Sequence, residues 1–145
     1  MKILRIIGLL FLFMVSVNGV GHTAINPVID LEVHALEHSE VPKLVVVKFH
    51  ADWCGSCKAM GPVVTDLTNK LDGQSVLFTQ LDFTNNSTKH QSFLLASVLG
   101  IDDVVVNNEG TGFLLVIDGK TKQVKATPTR HQTVKEMTKV IADLL

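Results

Sequence analysis

The sequence predicts an α/β layer fold with a central mixed β-sheet flanked by helices. Three observations carry this. Residues 43–50 (KLVVVKFH) form a β-branched run without polar alternation, as expected of a strand covered on both faces. Strand-like runs then alternate with segments whose apolar residues recur at helical spacing, the pattern of a sheet with crossover helices. Finally, two late apolar runs are joined through Asp118-Gly119, a turn signal for an antiparallel hairpin at a sheet edge.

The elements follow in order. Residues 27–39 read as an irregular start and a short helix with Leu31, Ala35 and Leu36 inward. Residues 43–50 are the central strand. Residues 57–71 are a helix presenting Val63, Val64, Leu67 and Leu71 on one face, kinked at Pro62 and stopped by Asp72-Gly73. Residues 75–83 are a second strand. Residues 84–87 (TNNS) supply a turn and N-cap for a helix to Leu99, which Gly100 terminates. Residues 101–111 (IDDVVVNNEGT) place turn signals around a short apolar run, and 102–110 read as a long loop. Residues 112–117 and 121–126 form the hairpin. Residues 132–145 close the chain as a helix with Val134, Met137, Val140, Ile141 and Leu144 inward.

The 145 residues suit one domain. Fourteen acidic and 13 basic residues, with no basic run, argue against a nucleic-acid partner. Residues 1–21 read as a secretory signal peptide: Lys2 and Arg5 precede the apolar stretch 6–17, and Gly19 and Gly21 offer cleavage sites. The rival reading is an uncleaved anchor, but the apolar run is shorter than the roughly 20 residues that span a bilayer. Removal of residues 1–21 takes away two basic residues and no acid, moving the net charge from −1 to −3. The expected organisation is a signal peptide at 1–21, an extension with the first helix at 22–40 and the main domain at 41–145. The expected location is periplasmic or secreted.

The only two cysteines, Cys54 and Cys57, sit three positions apart in ADWCGSCK, where the central strand gives way to a helix. A disulfide there closes a tiny loop and removes little chain entropy, so it is a weak staple. A zinc site needs about four ligands, and the histidines at 34, 38, 90 and 131 are scattered. A redox dithiol fits best, because the partial positive charge and free N–H groups of a helix start lower the pKa of the first thiol. Cys57, one turn in, is then placed to resolve a mixed disulfide. No metal or organic cofactor is implied.

Residues 51–58 (ADWCGSCK), with Pro62 five positions past the second cysteine, resemble the thioredoxin superfamily, and the resemblance covers about residues 41–145. It implies a thioredoxin fold and a thiol–disulfide oxidoreductase, with Cys54 the attacking thiol, Cys57 the buried resolving thiol and Trp53 covering the site. The wording around Trp53, and Asp82-Phe83-Thr84-Asn85-Asn86, also resembles the periplasmic thioredoxin domain of transmembrane disulfide reductases. The implied partners are thiol or disulfide proteins and a membrane redox partner, with the protein itself a monomer.

The chain departs from that pattern at four places. The strand position six residues before the first cysteine, commonly acidic in the family, is Lys48, and the family's partner lysine aligns with Gln80. A buried lysine loses its proton, finds a partner or reaches solvent. Asp82, on the same strand face as Gln80, is the candidate partner. His50 stands where the family has an aromatic or small residue and reads as a packed side chain or a proton carrier. The family's cis-proline position falls on Thr111, after Gly110, so the substrate groove is expected to be specialised there; a non-proline cis bond costs about 2.5–4 kcal/mol. Two rival functions remain from the residues: a binding module with a structural disulfide, and a metal carrier using the cysteine pair.

Overall fold

The structure, a computed structural model, describes residues 40–145. The expected signal peptide and first helix lie outside the described residues. Four strands, β1 (Leu44–His50), β2 (Val76–Asp82), β3 (Phe113–Asp118) and β4 (Val124–Ala126), form one sheet in the order β2-β1-β3-β4. β2 runs parallel to β1; β3 is antiparallel to both β1 and β4. The helices are α1 (Gly55–Lys70), α2 (Asn86–Leu99), α3 (Asp102–Val106) and α4 (Val134–Ala142).

The apolar run at the start of β1 has the expected cause. Its side chains alternate between two cores. Leu44 and Val46 join Leu114 and Val116 against Met60 and Leu67 of α1 and Met137 and Ile141 of α4. Val45, Val47 and Phe49 join Leu81, Leu115 and Ile117 against Ala96, Ile101 and Val105 on the α2–α3 side. By the same alternation Lys48 and His50 belong to the α1 side. Phe49 stacks between Phe83 and Phe113, with ring centroids 5.6 and 4.8 Å away.

Local signals terminate the helices as their chemistry requires. The Asn85 carboxamide accepts from the Ser87 and Thr88 N–H groups at the start of α2. Gly100 ends that helix at φ 66°, a left-handed conformation that glycine adopts without a Cβ penalty. Thr133 and Glu136 form a reciprocal capping box on α4.

The structure corrects several boundaries. Residues 102–110 are not one loop: Asp102–Val106 is helical, with acids in its first turn and Val105 buried. Its three valines favour strands locally, but burial against the α2-side core overrides that preference. α1 starts at Gly55, two residues before the expected start, and holds Pro62 within it. The hairpin turn is wider than Asp118-Gly119. The Asp118 carboxylate accepts from the Lys120 and Thr121 N–H groups, and the Gln123 carbonyl accepts from the Asp118 N–H. Leu144 lies beyond α4 and is 38% exposed.

Candidate active site

Cys54 and Cys57 are joined by a disulfide, with Cα atoms 5.2 Å apart. β1 ends at His50, and a turn closed by the Cys54 N–H donating to the Ala51 carbonyl delivers Cys54 to the N-cap of α1. Its backbone is extended there, and its Sγ accepts the Cys57 N–H at 3.1 Å. A thiolate at this sulfur gains a hydrogen-bond donor and the positive end of the helix dipole. Cys54 is partly exposed, whereas Cys57 is fully buried. The Cys57 Sγ lies 3.6 Å from the Phe49 carbonyl oxygen, which can accept from the thiol once the pair is reduced. One sulfur can therefore meet another protein, and the other can meet only its neighbour.

Thr84, which the sequence marked only as part of a turn, ties this loop to the end of β2. Its hydroxyl accepts the Asp52 N–H at 3.0 Å and donates to the Asp82 carboxylate. Its carbonyl accepts the Trp53 indole N–H at 3.3 Å. Trp53 is 68% exposed, so it stands over the loop and is not a core residue. The side chains of His50 and Asp52 also meet, Nε2 to Oδ1 at 3.1 Å. The His50 Nδ1 is enclosed with no hydrogen-bond partner among the described residues. His50 is thus a largely packed residue bound to a carboxylate.

Asp82 does not partner Lys48. Its carboxylate is taken by the Thr84 hydroxyl and N–H, which, with the nearby His50, hold its pKa below the ordinary value. Neither ion pair among the described residues involves Lys48. The lysine is 9% exposed, in register with Gln80, and burial lowers its pKa.

The segment Gly110–Gly112 reaches the disulfide at Gly112. No described peptide bond is cis, so the Thr111 bond is trans. The residue that closely approaches Cys54 is the next one, which sequence reasoning missed. Gly112 has φ 89°, and its N–H donates to the Phe49 carbonyl at 2.8 Å. A Cβ placed on it would stand 2.7 Å from the Ser56 Cβ and 3.3 Å from the Cys54 Sγ. The available signal was a glycine on each side of Thr111. A cavity of about 480 Å³ adjoins this segment, between Trp53, Phe83, Phe93, Val105 and Thr111. Helix α3 forms one wall of it. Gly110 and Thr111 line this cavity together with Trp53, the residue before Cys54.

A family-level comparison matches residues 32–110, more than half of the chain, to the thioredoxin family. The chain belongs to the thioredoxin family. Thioredoxin H-type 1 of Nicotiana tabacum is 29% identical over 92 residues, which cover 63% of this chain and 69% of that protein. Thioredoxin H3 of Arabidopsis thaliana is 30% identical over 97 residues, 66% of this chain and 77% of that protein. Protein disulfide-isomerase A4 of Mus musculus is 39% identical over 57 residues, 35% of this chain and 9% of that protein. Family, sheet order and cysteine pair agree: the protein has a thioredoxin fold and is a thiol–disulfide oxidoreductase. The family match stops at residue 110, immediately before the glycine-flanked Thr111.

Proposed function

We propose that this thioredoxin is exported and exchanges electrons with a restricted set of thiol proteins, one of them a membrane redox partner. Cys54 as thiolate attacks a partner disulfide, forming a mixed disulfide and releasing one partner thiolate, which takes up a proton. Cys57 loses its proton and attacks Cys54 Sγ, releasing the second partner thiol and leaving the Cys54–Cys57 disulfide. The partner gains two electrons and two protons; run backwards, the same steps oxidise it.

The observation that carries the division of labour is the difference in burial between the two sulfurs, combined with the N–H donated to Cys54 Sγ. Restricted partner choice is supported by the trans Thr111 bond, its flanking glycines and the α3 wall beside them. Export is supported by the charge and apolar pattern of residues 1–21.

The test is trapping in cells making the full chain. Cys57→Ser should accumulate mixed disulfides through Cys54, and Cys54→Ser should not. Equal trapping by both variants would contradict the assignment. N-terminal sequencing of the exported protein should begin near Val20 or His22. An intact Met1 in the membrane fraction would replace the cleaved signal with an anchor.

A further inference from the structure

Lys48 is the one buried charged side chain among the described residues, and neither a carboxylate nor a hydrogen-bond acceptor there is joined to it. Asp82, the acid nearest in the strand pattern, is committed to Thr84. Among the described residues the single fully enclosed polar side-chain atom lacking a partner is the His50 Nδ1, so the Lys48 ammonium keeps contact with open space. That space is a solvent-open cavity of about 470 Å³ between α1 and β2. Gly61 leaves the α1 side bare: a Cβ there would meet nothing within 4 Å.

The walls differ in character. Val64 and Phe78 are apolar. Thr65, whose hydroxyl donates to the Gly61 carbonyl at 3.3 Å, and Gln80, in register with Lys48, are polar. A partly desolvated cation without a counter-charge is less stable than a paired one, and an anion entering the cavity supplies that charge. There is one cation and no fork of donors, and Gly61 lies inside the helix, not at its N-terminus. Phosphate recognition usually calls on Arg forks or several N–H donors, so this site is poorly matched to it. One ammonium beside an apolar wall suits a carboxylate with a short hydrocarbon tail.

We propose that this cavity binds a short-chain carboxylate, its head on Lys48 and its tail on Val64 and Phe78. Its test reads binding directly and needs no redox readout. Amide NMR spectra of the exported protein are followed during titration with sodium acetate, sodium butyrate or sodium phosphate, at ionic strength matched with sodium chloride. Butyrate should produce saturable shifts at Gly61, Val64, Thr65 and Gln80. It should bind roughly four- to fifteen-fold tighter than acetate if its two extra methylenes are half to fully buried. Lys48→Met should abolish saturation. Gly61→Leu, which keeps the lysine and fills the cavity from an unobstructed helix position, should abolish it too, and it decides the matter should Lys48→Met fail to fold. Linear shifts, butyrate no tighter than acetate, phosphate tighter than butyrate, or undiminished saturation in a folded variant would each overturn the proposal.

Discussion

Gly112→Ala should separate the segment 110–112 from the dithiol. The new methyl would lie 2.7 Å from the Ser56 Cβ, against the roughly 3.5–4.0 Å of an ordinary carbon contact, so about 1 Å must be recovered. Ser56 is in the first turn of α1, and its Cβ cannot swing aside as the end of a long side chain could. Overpacking of this kind costs about 1–3 kcal/mol. A positive φ adds about 1–2 kcal/mol for a residue with a Cβ. The expected loss is therefore about 2–5 kcal/mol, less whatever the segment recovers by moving. At about 4–8 °C per kcal/mol for a domain near 100 residues, Tm should fall by at least about 8 °C. Thermal unfolding of the oxidised protein reads this, with Ser56→Gly and the double variant completing a cycle. Removing the Ser56 Cβ deletes the tightest contact but leaves the φ strain, so the double variant should recover about 1–2 kcal/mol relative to additivity. A Gly112→Ala protein as stable as wild type, or strictly additive single effects, would refute the close approach.

Two further predictions follow from the charges. Lys48 shares its cavity with Gly61, one turn past Cys57 on the same helix, so its ammonium should favour thiolate over thiol and stabilise the reduced form. Lys48→Asp should lower the reduction potential and Lys48→Met should fall between. About 30 mV is a tenfold change in equilibrium, readable against a dithiothreitol couple, which has no carboxylate, in carboxylate-free buffer, and an unchanged or raised potential in Lys48→Asp would sink the idea. Asp82 has a depressed pKa because Thr84 donates to its carboxylate. Its stabilisation is fully present above the ordinary aspartate pKa, about 3.9, and is lost as pH falls through the lower folded value. Asp82→Asn should therefore be less stable than wild type in urea unfolding at pH 7 and approach it in strong acid; an equal penalty at both pH values would show that ionisation is irrelevant.

The strand-to-helix placement of Cys54 and Cys57 was legible in the sequence because both signals are local. An unbroken β-branched run requires burial on both faces, and a cysteine at the following helix start acquires the helix's free N–H groups whatever surrounds it. The turn and N-cap within residues 84–87 and the stop at Gly100 were readable for the same reason: each depends on a few consecutive residues. Pairings between distant segments were not legible. Strand alternation put Asp82 on the face of Lys48, but only the folded loop brought Thr84 to its carboxylate and left the lysine over a cavity. Helix α3 opposed the strand preference of its valines because burial of Val105 outweighs a local bias. Gly112 carries no signal of its own for what it touches. Its contact with Ser56 and Cys54 joins residues more than fifty positions apart, and sheet pairing between β1 and β3 alone decides that they meet.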